Sequence, residues 1–263
     1  MKNRHNFKKK YGQNFLEDNE LLKKIEDIIN LKKSDKVIEI GPGLGYLTSM
    51  LLKNAKSVCA YEIDDELIPK LLNKFKEYDN FKLIHEDFMQ STISEENVKI
   101  VANIPYYITS PIIQKLVDNR DKIDEVYLMV QKEVAIRICT DKDVSILTHS
   151  VNFYCETEYL FTVPKTLFVP KPKVDSAFIR LKFRKDKKYE NMISDKTYFS
   201  FLKLAFANKR KTLFNNLKGS IDKSILEKYV SSKVRAEQLS IDEFILIIRE
   251  LNYEWVWIYF ASW

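Results

Sequence analysis

The run Asn103-Ile104-Pro105-Tyr106 ends an apolar, β-like stretch at 98–102. An asparagine, a preset carbonyl and an aromatic ring therefore meet at one strand end. Pro105 locks its own φ and biases Ile104 towards extended backbone, which holds the Ile104 carbonyl in place. This set suits an amine on a flat ring, such as N6 of adenine. That amine is a poor nucleophile because its lone pair is delocalised into the ring. Two acceptors, the Asn103 side-chain oxygen and the Ile104 carbonyl, can hold its hydrogens and favour a more tetrahedral nitrogen. Tyr106 can stack on the base, and a base inside a helix must be flipped out and gripped before it can react. Asn-X-Pro is also common in plain turns; what distinguishes this one is its position in the chain.

Upstream, the β-branched run 36–40 leads into Gly41-Pro42-Gly43-Leu44-Gly45 and then an apolar helical segment. Glycines permit a tight turn and a close approach of backbone to ligand. The spacing is Gly-X-Gly-X-Gly, not the Gly-X-Gly-X-X-Gly of dinucleotide sites. A second strand-like run, 57–61, ends at Glu62. This acid lies about 20 residues beyond the turn, the spacing at which a carboxylate takes ribose hydroxyls. Asp87 follows a third run, 81–85, and can accept from an adenine amine. Gly41, Gly43, Glu62 and Asp87 together suit S-adenosylmethionine, which has a ribose and an adenine but no phosphate. A nicotinamide-dependent oxidoreductase is the competing reading, and the glycine spacing opposes it.

These residues need elements to position them. Strand candidates are 36–40, 57–61, 81–85, 98–102, 125–130, 147–155 and 174–183, alternating with helical patterns at 21–29, 48–53, 65–76, 110–118 and 131–139. That alternation predicts an α/β fold with a doubly wound seven-stranded sheet. Ligands then bind at the carboxyl ends of the strands, where Gly41, Glu62, Asp87 and Asn103 fall. The polar stretch 185–194 reads as a linker, and 3–4 spacing at 198–206, 213–217, 225–230 and 241–251 predicts a small all-α domain. The expected domains are 1–184 and 185–263.

The 263 residues carry a net charge of +6, and the positive charge is clustered. Lys8, Lys9 and Lys10 lie in one cluster, Lys171 and Lys173 in a second, and Lys209, Arg210 and Lys211 form a third. Around a base pocket, such clusters point to phosphate contacts on RNA. The three cysteines are scattered and the three histidines isolated, so neither a disulfide framework nor a metal site is expected. No apolar run is long enough to span a membrane, and 1–10 lacks the apolar core of a signal peptide, so a cytoplasmic location is expected.

With these stretches in one order, the chain resembles the rRNA adenine N6-dimethyltransferases. The similar segments are 11–16 (Tyr-Gly-Gln-Asn-Phe-Leu), 39–45, 61–64, 103–106, 130–135, 168–176 (Phe-Val-Pro-Lys-Pro-Lys-Val-Asp-Ser), 209–213 and 235–239. The resemblance implies a class I, Rossmann-like methyltransferase fold with a helical C-terminal domain and S-adenosylmethionine as methyl donor. It implies cofactor contacts at Asn14, Leu16, Gly41, Glu62, Asp87 and Asn103. It also implies adenine stacking on Tyr106 and Phe168, a clamp that would grip both faces of the base. Segments 174–181, 208–213 and 235–239 look like the small-subunit branch, which dimethylates two adjacent adenosines in a hairpin near the 3′ end of 16S rRNA, within a small-subunit particle. The short segment 138–144 instead looks like the 23S rRNA branch that confers macrolide resistance. The aromatic end, 255–263, matches neither. A non-catalytic RNA-binding factor on the same scaffold is the alternative of another class, and the intact Asn103 run opposes it.

Overall fold

The computed structural model describes residues 15–251, apart from 17, 143, 220 and 222. It divides into two compact units, Met1–Ile136 with Thr157–Phe183, and Arg137–Glu156 with Arg184–Trp263.

The first unit begins with the short strand β1 (Phe15–Leu16) and helix α1 (Asn19–Ile29). Asp18 caps α1 by accepting from Leu21 N–H at 2.7 Å, and Asn30 ends it in the left-handed region at φ 45°. Leu21, Ile25 and Ile29, at 3–4 spacing, are its buried face. Then β2 (Lys36–Ile40), α2 (Tyr46–Asn54), β3 (Ser57–Glu62), α3 (Ile68–Lys74), β4 (Phe81–His85), β5 (Val98–Asn103), α4 (Thr109–Asp118) and β6 (Ile123–Gln131) alternate along the chain. After β6 come α5 (Lys132–Ile138), α6 (Ile146–Tyr154), β7 (Cys155–Val163), β8 (Phe168–Val169) and β9 (Ser176–Phe183).

Among the described residues, seven strands form one sheet in the order β4-β3-β2-β5-β6-β9-β7, and β1 pairs antiparallel with β8. The pairs β2–β3, β3–β4, β2–β5 and β5–β6 are parallel, whereas β6–β9 is antiparallel. Chain order runs outward from β2 to β4, then returns to the other side of β2 with β5. The reversal opens a crevice at the carboxyl ends of β2 and β5. Inner strands are buried along nearly their whole length, which is why they read as largely apolar runs, interrupted at Glu39 and Lys99, rather than as alternating ones.

The doubly wound α/β expectation therefore holds, with one correction. The sixth strand is not at 147–155: that segment is helix α6, and the strand is β7, which begins where the helix ends. Ser145 and Thr148 form a reciprocal capping box at 3.2 and 3.0 Å that starts the helix. Threonine in the third position disguised it, since the usual signature ends in Glu or Gln. Helix α3 is also shorter than 65–76 suggests, and Pro69 sits in its first turn, where its missing N–H has no consequence.

The second unit holds α6 together with α7 (Asp195–Ala205), α8 (Leu213–Leu217), α9 (Lys223–Tyr229) and α10 (Ile241–Glu250). The helical expectation for the C-terminal part thus has an added mid-chain segment, 137–156. The stretch 185–194 is no bare linker, because Tyr189 and Ile193 are buried. An aromatic cluster forms the core: Phe153 stacks on Tyr198 at 4.6 Å, and Phe201 meets Phe244 edge-on. His149 is buried there beside the Tyr198 hydroxyl, 2.7 Å from Nδ1, and burial pushes its pKa down to about 4, so it stays neutral. The aromatic tail at 255–263 lies outside the described residues.

The glycine turn is closely packed. Gly41, Gly43 and Gly45 all have positive φ, but only at Gly43 and Gly45 would an added Cβ collide, at 2.6 Å from Phe15 and 2.7 Å from Phe75. Gly41→Ala should therefore cost only left-handed backbone strain, about 1–2 kcal/mol. Gly45→Ala should add an overpacking cost of about 1–3 kcal/mol against Phe75. Urea unfolding of the two variants checks this; equal losses would show that Phe75 simply moves aside.

Candidate active site

Strand register brings the chemistry into one row. Ile40 pairs with Tyr61 on one side and Ala102 on the other, so Gly41 stands level with Glu62 and Asn103. Gly41 N–H donates to Tyr61 carbonyl at 2.9 Å, and Glu86 N–H donates to Glu62 carbonyl at 3.1 Å, which brings the 86–89 turn alongside. A cavity of about 260 Å³ opens above this row. Its wall includes Gly41, Gly43, Glu62, Asp87, Asn103, Ile104, Pro105 and Tyr106, eight of the residues singled out from sequence, together with Leu16.

Glu62 is buried and accepts three backbone N–H bonds, from Gly43 to Oε2 at 3.2 Å and from Ile63 and Asp64 to Oε1 at 2.9 Å each. Burial pushes its pKa up, and those amides oppose the shift. A carboxylate offers about four acceptor sites, so capacity is left for ribose hydroxyls. Asp87 accepts from Met89 N–H at 2.9 Å, which fixes its side chain at the cavity edge.

On the opposite wall, Asn103 ends β5 and is half-buried. Pro105 has φ −58° and ψ 133°, and Tyr106–Ile108 form a single 3-10 turn ahead of α4. Ile108 N–H donates to the Pro105 carbonyl at 3.2 Å, and the Thr109 hydroxyl donates to the Tyr106 carbonyl at 3.2 Å. The Tyr106 hydroxyl lies 2.7 Å from the Ser176 hydroxyl, at the start of β9. This bond sets the ring's orientation from a residue 70 positions away in sequence.

Phe168 is not in the cavity wall. It pairs with Leu16 across β1–β8 and is 2% exposed within the apolar cluster that also holds Phe15 and Phe178. Its partner strand does deliver Phe15 and Leu16 to the cavity. Lys171, Lys173, Lys209, Arg210 and Lys211 are exposed. The last three occupy a turn ahead of α8 that Asn216 clamps, donating to the Ala205 and Asn208 carbonyls at 2.7 and 3.1 Å. Asn14, Lys8, Lys9 and Lys10 lie outside the described residues.

Two residues escaped the sequence reading. Glu39 is 1% exposed, borders the cavity, and has no hydrogen-bond partner for either carboxyl oxygen among the described residues. Desolvation, helped by the neighbouring Glu62, pushes its pKa up to about 8, and the Lys74 ammonium works against that shift; the Thr48 hydroxyl likewise has no hydrogen-bond partner among the described residues. An acid inside an apolar strand followed by glycines was the available signal. Lys74, from α3, donates to the Leu44 and Gly45 carbonyls at 2.8 and 3.0 Å and so closes the glycine turn from outside. No sequence pattern pairs those positions. The site as a whole fits a nucleoside carrying a cationic tail: positive-φ glycines allow close approach, Glu62 can take a ribose, and the orphaned Glu39 carboxyl can take an ammonium. Among the described residues no cluster of His, Cys, Asp and Glu could hold a metal.

The chain matches the family model for ribosomal RNA adenine dimethylase over residues 4–253. It is 47% identical over 254 residues to the ribosomal RNA small subunit methyltransferase A of Fusobacterium nucleatum, covering 92% of this chain and 96% of that protein. The protein of the same name from Mycoplasma mobile is 43% identical, with 94% and 99% covered. Among solved structures, 23S rRNA methyltransferase ErmE superposes with TM-score 0.78 at 27% identity, covering 91% of this chain and all of that one. A dimethyladenosine transferase from Plasmodium falciparum gives TM-score 0.77 at 27% identity, with 90% and 97% covered.

Glu39 generates a pH prediction. In the folded protein its carboxyl keeps its proton to about pH 8, whereas unfolded it releases it near 4.5. Between those values the native state binds more protons, so unfolding free energy falls as pH rises. Glu39→Gln should flatten that fall in the ligand-free protein by on the order of a few kcal/mol between about pH 5 and pH 8. An unchanged slope in urea titrations would mean that Glu39 ionises freely.

Proposed function

Because the chain belongs to the ribosomal RNA adenine dimethylase family, we propose that its cavity binds S-adenosylmethionine and one flipped adenine, and that it dimethylates N6 of two adjacent adenosines near the 3′ end of 16S rRNA. The observation that carries this reading is the row at the sheet's edge: Asn103 and the Ile104 carbonyl stand level with Gly41 and Glu62 in one cavity.

S-adenosylmethionine, when bound, supplies an electrophilic methyl group on its sulfonium sulfur. The chain does the rest by placement. Glu62 holds the ribose, Asp87 the cofactor's adenine amine, the Gly41 and Gly43 backbone the amino-acid portion, and Glu39 the ammonium. Leu16 contributes apolar wall, and Asn14 completes the cofactor contacts. The substrate adenine stacks on Tyr106, whose hydroxyl is held by Ser176, while the buried Phe168 supports the wall through its pairing with Leu16. The Asn103 oxygen and the Ile104 carbonyl accept the N6 hydrogens and orient the lone pair for in-line attack on the methyl. Nitrogen becomes acidic only after transfer, so its proton can leave to water and no general base is required. Orientation and fixed dipoles supply most of the rate. A second cycle gives dimethyladenine.

RNA is held chiefly through phosphates, by Lys171 and Lys173 in one unit and by Lys209, Arg210 and Lys211 in the other. Lys8, Lys9 and Lys10 add to this set. The small-subunit target is favoured by relatives named for that subunit at 47% and 43% identity, against 27% for the 23S enzyme. The substrate is a small-subunit particle in the cytoplasm. No helix among the described residues is long and apolar enough to cross a membrane.

Mapping methylated adenines by primer extension on both rRNAs, after incubation with ribosomal particles, tests the function. Stops at two neighbouring adenosines in 16S rRNA are expected; stops confined to 23S rRNA would reverse the assignment. In the same assay Asn103→Ala should lose most turnover while RNA affinity changes little, and near wild-type methylation would remove the proposed role of this loop. Replacing Lys209, Arg210 and Lys211 together by alanine should weaken RNA binding and lower the log–log salt slope by about one unit for each phosphate that the variant no longer neutralises. An unaltered slope would mark the cluster as a solvated turn.

A further inference from the structure

We propose that Tyr107 is a positioning residue for RNA, its ring stacking on the nucleotide next to the target adenosine. This rests on the reading above that a flipped adenosine is the substrate. Tyr107 belongs to the cavity wall yet is 63% exposed, the most exposed of the large apolar side chains described. Single exposed apolar residues are commonplace; what matters is where this one sits and how firmly its backbone is held. The 3-10 turn that carries it is closed by the Pro105–Ile108 and Tyr106–Thr109 hydrogen bonds and runs straight into α4, where Thr109 is buried. Tyr106 is turned inward and tied to Ser176, while its neighbour faces out from the same rigid turn.

The division matches the chemistry of base flipping. Swinging an adenine out of its stack removes one stacking partner from each adjoining base. Two rings that leave consecutive residues of one turn in different directions can serve a flipped base and its unflipped neighbour at the same time. Tyr106 takes the flipped base, and Tyr107 replaces the partner that has swung away from the neighbouring base. A ring at that place favours a substrate in which the target has an unpaired, stackable neighbour. Two adjacent adenosines in a hairpin loop meet that requirement.

The experiment uses the full chain, small-subunit particles and the variants Tyr107→Ala, Tyr107→Leu, Tyr107→Phe and Tyr107→Trp, measuring kcat, KM for particles and S-adenosylmethionine affinity by calorimetry. Alanine and leucine should raise KM for particles at least about fivefold with kcat within about twofold, while phenylalanine and tryptophan keep KM near wild type. Cofactor affinity should be the same in all four. A wild-type KM in Tyr107→Ala, or a Tyr107→Leu variant as good as Tyr107→Phe, would overturn the stacking role. So would a loss of cofactor affinity, which would place the ring in the cofactor's wall. If the wild-type protein methylates neither rRNA, the functional reading itself fails and this proposal falls with it.

Discussion

The Glu62 carboxylate is the interaction on which the rest of the site depends. It is a buried acid that would be costly without partners, and it is satisfied by three backbone amides, one from the glycine turn and two from its own strand end. Those bonds join β3 to the turn after β2, and Lys74 ties the far side of that turn to α3. Turn, strand end and helix are therefore one assembly. Glu62 faces the cavity and also holds the backbone that frames it, so removing it disturbs both.

A second tie fixes the opposite wall. The Tyr106–Ser176 contact joins the loop after β5 to β9, two strands further across the sheet. Stacking needs a ring held in one plane, and a ring anchored at its hydroxyl loses less freedom on gripping a base than one that swings. Glu39 works differently. Its strand buries it, neither carboxyl oxygen has a hydrogen-bond partner among the described residues, and desolvation disfavours the charged form more than the Lys74 ammonium favours it. The first unit thus combines preformed geometry with one acid left uncompensated, the arrangement expected where binding rather than folding settles a charge.

The helical unit is built on a different principle. Its core is aromatic, with Phe153, Tyr198, Phe201 and Phe244 in contact and a neutral His149 among them. Its basic turn is ordered by side-chain-to-backbone bonds from Asn216, which present Lys209, Arg210 and Lys211 to solvent. Charges on a stiff turn can meet a phosphate backbone with less loss of entropy than charges on a loose one.

The amino-acid sequence by itself was enough for the doubly wound α/β sheet, most of its alternation of strands and helices, and the row of residues that line the cavity. Buried parallel strands need largely apolar runs, and the residues after them need special chemistry, so both leave local marks. Gly41, Glu62, Asp87 and Asn103 were legible because each lies at or just past the end of a short β-like stretch. Segment 147–155 was not, because a run of apolar and aromatic residues serves a buried strand and a buried helix alike, and the Ser145–Thr148 box that decides between them lacks the usual acid. Tertiary structure alone decided the Tyr106–Ser176 bond, the Lys74 clamp, the isolation of Glu39 and the burial of Phe168. Each depends on which distant segments meet. A carboxyl is orphaned, or a ring covered, only by what packs against it, and no local pattern records that.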